Sequence, residues 1–210
     1  MKIYQKTKIK TMSDQHYLIE EADRLKMEGA HREAIQLCEK ALLQDLDLQA
    51  AYEEIGDNYL SLREYDKAER ALIQALRINP VSANSHYLMG FTMSALGCWK
   101  DSIEHLETAD QLQPNHPEVL RCLGWSIFHS GNHKQGLILM ERSLKLSPAD
   151  PLILSDLGVC YLNQKNFDRA TSLFNQVLEL EPDNQKVKEC LFAVEFFRKE
   201  FKKLREKHQK

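Results

Sequence analysis

Apolar residues along this chain recur at i, i+3, i+4 and i+7, the period of helices with one buried face. The pattern breaks at short polar or glycine-bearing stretches: "EGA" at 28–30, "LRE" at 62–64, "LGC" at 96–98, "SGN" at 130–132 and "QKN" at 164–166. Between breaks the periodic runs are long enough for helices of about 12–14 residues, near the average for globular proteins. A second kind of stop is proline. Pro80, Pro114, Pro148 and Pro182 follow one another at intervals of 34 residues. Gly56, Gly90, Gly124 and Gly158 keep the same step. A fixed interval without insertions is the signature of an internal repeat.

Five units follow, at 15–48, 49–82, 83–116, 117–150 and 151–184. Each reads as helix A, a tight turn and helix B. Within a unit, position 8 is Ala22, Gly56, Gly90, Gly124 or Gly158, and position 20 is Ala34, Ala68, Ser102, Gly136 or Ala170. Small residues at both positions predict a close crossing of the two helices, which offsets the roughly 0.5–1 kcal/mol that glycine costs inside a helix. Position 17 carries an aromatic ring or His and is expected to begin helix B: His31, Tyr65, Trp99, His133 and Phe167. Proline near position 32 stops helix B by pushing the residue before it out of the α region. Gly136 and Ser143 depart from the repeat pattern, so helix B of the fourth unit is expected to pack less tightly.

The pattern resembles the tetratricopeptide repeat family over residues 15–184. It has the family's large residue at position 4, small residues at 8, 20 and 27, and Pro at 32. The first unit departs, with Glu21 at position 7 and Leu46 in place of the proline. The resemblance implies an all-α fold: a right-handed superhelical solenoid of five helix–turn–helix units. Residues 185–210 follow, with Val187, Leu191, Val194, Phe197, Phe201 and Leu204 on one helical stripe. This reads as the capping helix that closes a repeat array, ending in a basic tail. Phe192 and Phe196 lie off the stripe. They either widen the cap contact or form an aromatic patch for self-association.

In the family, positions 2, 5, 9, 12 and 13 of helix A line a concave groove. Carried onto this sequence, that face includes Asp23, Glu53, Asp57, Asn84, Tyr87, Phe91, Arg121, Trp125, Phe128, Ser155 and Val159. Trp125 is then expected to face a ligand while its neighbour Gly124 faces helix B. Tyr87, Phe91, Trp125 and Phe128 would form an aromatic patch of the kind that anchors partners, or would fill the groove by touching one another. Asp23, Glu53 and Asp57 make the first units acidic. That disfavours the ligand class whose C-terminal carboxylates are clamped by Lys and Asn at these positions.

Charge changes this picture only at the ends. Residues 1–12 hold four Lys and no acid, 185–210 hold nine Lys/Arg against four Asp/Glu, and 13–184 hold 15 against 27. The net charge of −3 gives no global reason to expect nucleic acid as a partner. Residues 1–14 read as a disordered basic extension, with Met12 an alternative start. No apolar run of about 18 residues predicts membrane insertion. Five cysteines without a C-x-x-C spacing read as core thiols of a reducing cytoplasm rather than disulfides or a zinc site. His129 and His133 are four residues apart but straddle a turn. No phosphate-binding loop and no catalytic constellation is present, so neither enzyme nor cofactor is expected. What the resemblance implies is a cytoplasmic protein-binding adaptor, scaffold or chaperone, with a secretion-type chaperone or a homo-oligomeric scaffold as alternatives.

Overall fold

The structure, a computed structural model, describes residues 2–208, with side chains over 15–206. Among the described residues every element is helical. In chain order the helices are α1 (Lys2–Met27), α2 (His31–Leu42), α3 (Gln49–Ser61), α4 (Tyr65–Ile78), α5 (Ala83–Ala95), α6 (Trp99–Leu112), α7 (Pro117–His129), α8 (His133–Leu146), α9 (Pro151–Asn163), α10 (Phe167–Leu180) and α11 (Gln185–His208). The chain divides into two compact units, Met1–Pro114 and Asn115–Lys210.

The five position-17 residues are each the first residue of a helix B, namely α2, α4, α6, α8 and α10. The turns before them share one device. Position 15 has a positive φ in every repeat: Gly29 at 78°, Arg63 at 58°, Gly97 at 76°, Gly131 at 106° and Lys165 at 60°. The amide at position 16 then reaches back to the carbonyl at position 11, and that at 15 to the carbonyl at 12. Asn132 N donates to Ile127 O at 3.1 Å and Gly131 N to Phe128 O at 3.1 Å. This is the left-handed termination that satisfies the last carbonyls of a helix.

Proline ends helix B as expected. The residues preceding Pro80, Pro114, Pro148 and Pro182 have φ between −130° and −136°, well outside the helix. The first repeat lacks this proline. Its helix α2 stops two positions earlier than the other B helices, and Leu46 is exposed.

Positions 8 and 20 do meet. A Cβ on Gly124 would lie 2.8 Å from Gly136 O, and a Cβ on Gly136 would lie 2.6 Å from Gly124 O. Two opposed glycines remove both β-carbons, so α7 and α8 touch backbone to backbone. The looser packing expected of the fourth repeat is therefore corrected. Ser143, its other departure, is buried and donates to Pro117 O at 2.7 Å. Position 24, large in every repeat but the first, fills the space beside the small residues, and Cys38, Leu72, Leu106, Met140 and Phe174 are all fully buried.

In the N-terminal unit the core comprises one cluster around Ala22, Cys38 and Ile55 and another around Leu72 and Met89. In the C-terminal unit a single cluster runs from Phe128 and Met140 through Phe174 to Val187 and Val194 of α11. Burial pushes the Cys38 and Cys160 thiols up to about 12, as suits inert core thiols. Cys98 alone of the five is exposed.

Two expectations about the ends change. The backbone over residues 2–14, expected to be irregular, continues α1 as helix. Neither Gly nor Pro occurs before Gly29, so nothing in the sequence interrupts the helix. The stripe on α11 is buried only in its first half. Val187 and Val194 are covered, whereas Phe197 and Leu204 are about half exposed, at 52% and 53%.

Candidate functional site

The helix-A face is built differently in the two units. In the N-terminal unit its acids are engaged by protein groups. Lys26, at position 12 of the first repeat, places its Nζ 3.0 Å from Asp23, 2.8 Å from Glu54 and 3.0 Å from Asp57. One ammonium thus holds three carboxylates from α1 and α3. Burial alone would lower the Lys26 pKa, but the hydrogen bonds it donates to Glu54, Asp23 and Asp57 reverse this and raise it. Burial raises the Glu54 carboxyl above its ordinary value, and Lys26 offsets only part of that.

Glu53 is also engaged. Ser82 Oγ donates to it at 2.7 Å, Gln49 Nε2 donates at 2.8 Å, and the Ser85 hydroxyl donates as well. Exposed Asn84 adds a further hydrogen bond. Burial would raise the Glu53 pKa, but these donors outweigh it and hold the carboxyl below its usual range. Glu53 therefore fixes the start of α5 to α3. Tyr87 and Phe91 are half-buried against the Leu72–Met89 cluster.

In the C-terminal unit the Arg121 guanidinium meets Asp156 at 2.6 Å, with side-chain exposures of 11% and 28%. Burial pushes the Asp156 carboxyl up, and the Arg121 charge pulls it part of the way back. Arg121, read as a groove cation, is instead a partner of α9. Trp125 is half-buried and stacks on His129 with ring centroids 4.1 Å apart. Phe128, read as a groove aromatic, is 2% exposed in the core cluster and packs on His133 at 4.5 Å. The reason is the glycine seam: a Cβ on Gly136 would lie 2.7 Å from Phe128 Cβ, so position 12 here belongs to the α7–α8 contact.

The α9 face is more open. Leu152 is 58% exposed, and Ser155, Val159 and Leu162 follow it at helical spacing, each half-buried. At the end of this face a pocket of about 290 Å³ lies between α9, α10 and α11. Leu162, Asn163, Phe167, Phe197, Phe201 and Leu204 line most of it. Of the off-stripe aromatics, Phe192 and Phe196 are exposed at 73% and 52%. They do not widen the cap contact.

Two residues that matter here escaped the sequence reading, Glu54 and Asp156. Both occupy position 6, outside the positions that line the family's groove. Opposite charges about 30 residues apart on neighbouring A helices would have pointed to them.

Among the described residues no group of three or more His, Cys, Asp or Glu is arranged to hold a metal ion, and no helix is long and apolar enough to cross a membrane. The helices and turns define an all-helical protein built from repeated helix–turn–helix units of one length. Family models named tetratricopeptide repeat match residues 127–189 and 50–82. Anaphase-promoting complex subunit 3 of Schizosaccharomyces pombe is 22% identical over 111 residues, covering 53% of this chain and 17% of that protein. The chain thus spans less than a fifth of that relative's length. The structure of TTC0263, a thermophilic TPR protein of Thermus thermophilus, superposes with a TM-score of 0.76 at 16% identity, covering 87% of this chain and 99% of that one. YrrB, described as a TPR protein with an unusual peptide-binding site, superposes with a TM-score of 0.61 at 21% identity, covering 89% and 96%. The chain thus carries tetratricopeptide repeats over residues 50–82 and 127–189 and shares the fold of tetratricopeptide repeat proteins.

Proposed function

We propose that this chain is a non-catalytic interaction module that binds a peptide or helical segment of a partner protein on the helix-A face of its C-terminal unit. The observation that carries this reading is the open α9 face. Leu152 remains largely in water, and the row through Ser155, Val159 and Leu162 leads into an apolar pocket. Preformed concave sites with few polar groups are the usual form of a binding site. The peptide-binding site named for YrrB makes such a role familiar for this fold. Arg121 and Phe128 are not ligand contacts in this reading, because each is already packed.

A random peptide library displayed on phage and panned against the protein tests the proposal. Peptides retained by wild type and lost by Leu152→Asp and by Phe197→Asp support it. Both positions are more than half exposed, so both variants are expected to keep the wild-type circular dichroism. Retained peptides indifferent to both changes, or no enrichment at all, would overturn it.

A second reading has its own observation, the exposed Phe192 and Phe196 on α11. Rings left in water on one helix suit self-association. Light scattering across a concentration series should then show mass growing for wild type and constant mass for a Phe192→Ser, Phe196→Ser variant.

A further inference from the structure

The pocket at the end of the α9 face has a charge pattern that selects its occupant. Resting on the proposed function, we propose that it takes one bulky apolar side chain from an acidic peptide segment, with flanking carboxylates meeting Lys165 and Arg205. Three observations converge on this occupant.

The first is size and lining. About 290 Å³ of mostly aromatic and aliphatic wall lies at the bottom of the ~300–1,000 Å³ range of small-molecule sites. That is too little for a nucleotide-sized cofactor and suits a Leu, Met or Phe side chain. Phe167 and Phe201 meet edge to face at 6.2 Å and shape one wall.

The second is the state of the charges. Lys165 Nζ lies 4.7 Å from the Phe201 ring centroid, and the Arg205 guanidinium lies 5.3 Å from the same centroid. Among the described residues neither has a carboxylate partner; each is held over a ring face instead. The neighbouring charges differ. Arg198 pairs with Asp168 at 3.0 Å, and Glu200, which also lines the pocket, is taken by Lys203 at 2.7 Å. Two cations held beside an apolar cavity leave room for carboxylates on the occupant.

The third is rigidity. Lys165 is the left-handed residue of the α9–α10 turn, with φ of 60°. Its amide donates to Leu162 O at 2.9 Å, and the next amide, of Asn166, donates to Tyr161 O at 2.9 Å. The cation is carried on a backbone fixed by two hydrogen bonds, so little backbone ordering is needed on binding. Lys199 and Lys202 add exposed positive charge along α11.

The test uses the full chain and peptides from the phage selection. The expected consensus is a large apolar residue flanked by Asp or Glu. A fluorescein-labelled peptide of that consensus is then compared with its Asn/Gln analogue by fluorescence polarisation. The acidic peptide should bind at least tenfold more tightly, and a Lys165→Glu, Arg205→Glu variant should remove that difference while still binding the amide analogue. Equal binding of the two peptides, or a basic consensus, would sink the acidic assignment, although pocket-dependent binding would keep the proposed function intact. Displacement of the peptide by single-stranded oligouridylate at equal concentration would assign the cations to nucleic acid and overturn the proposal. Pairing of wild type with itself in sedimentation, abolished by Phe197→Asp, would assign the pocket to a second copy and overturn it equally.

Discussion

The two compact units carry the same repeat yet handle polar groups on the helix-A face in opposite ways. The N-terminal unit is rich in acid, and its acids are answered from within: Asp23, Glu54 and Asp57 by Lys26, and Glu53 by Ser82, Ser85 and Gln49. The C-terminal unit buries the Arg121–Asp156 ion pair, and among the described residues it leaves Lys165 and Arg205 without carboxylate partners beside a largely apolar pocket whose own carboxylate, Glu200, is taken by Lys203. Charge on a face is thus a poor guide to what that face offers a ligand. An acid already hydrogen-bonded to three donors presents little to a partner, whereas a cation resting on a ring still lacks a counter-ion.

The largest effect should come from breaking the buried pair. Arg121→Met leaves the Asp156 carboxylate without its counter-charge. Removing one partner of a buried pair typically costs about 3–5 kcal/mol. With Asp156 keeping 28% of its side-chain surface in water, the low end, about 3 kcal/mol, is expected. An Arg121→Met, Asp156→Leu double variant should recover most of that loss, because matched apolar groups need no partner. Hydrogen exchange of the α7 and α9 amides reads the effect locally, which suits a repeat protein whose units open separately. A double variant as damaged as the single one would mean that the two residues do not act as a pair, and the contrast with the Lys26 cluster would lose its basis.

The glycine seam comes next. Gly136→Ala places a methyl group 2.6 Å from Gly124 O and 2.7 Å from Phe128 N, and neither backbone atom can swing away. Overpacking of this kind costs about 1–3 kcal/mol, and contact with backbone on two sides argues for the upper half of that range. Gly56→Ala in the N-terminal unit meets only the movable Leu72 side chain, at 2.8 Å, and should be milder. Protection of the α7–α8 amides should therefore fall more in Gly136→Ala than that of α3–α4 falls in Gly56→Ala. Equal losses would show that the backbone contact at α7–α8 has no special weight.

How much of this was legible follows from what repeats and what does not. Helix starts, the turn at position 15 and the proline stops recur five or four times, so each occurrence reinforces the others. The crossing of positions 8 and 20 was legible for the same reason. The pairings on the helix-A face occur once each. Lys26 reaches positions 6 and 9 of the next repeat, whereas Arg121 reaches position 6 from position 5. A period cannot reveal a contact made once. Phe128 was misread because its position is open in a generic repeat and closed in this one, where two glycines bring α8 against it. The pocket was hidden for a related reason: its far wall is α11, which lies outside the repeat.

The smallest effect tests whether the N-terminal acids are structural. The Glu53 carboxyl is held below its ordinary value of 4.5 by its donors, against the opposing effect of burial. A carboxylate with a depressed folded-state pKa adds stability above its unfolded-state value and loses it as pH falls through the folded-state one. That contribution should be complete above pH 4.5 and fade below it. Glu53→Gln keeps the shape but removes the charge, so it should cost about 1 kcal/mol at pH 7, within the range for hydrogen bonds to a charged group reduced for partial exposure. Below pH 4.5 the curves for wild type and variant should converge, and chemical denaturation from pH 7 to pH 3 would follow the convergence. Parallel curves would mean that Glu53 is not anchored to Ser82 and Ser85. Its carboxylate would then be available to a ligand, and the N-terminal unit would regain the acidic recognition face that its sequence suggested.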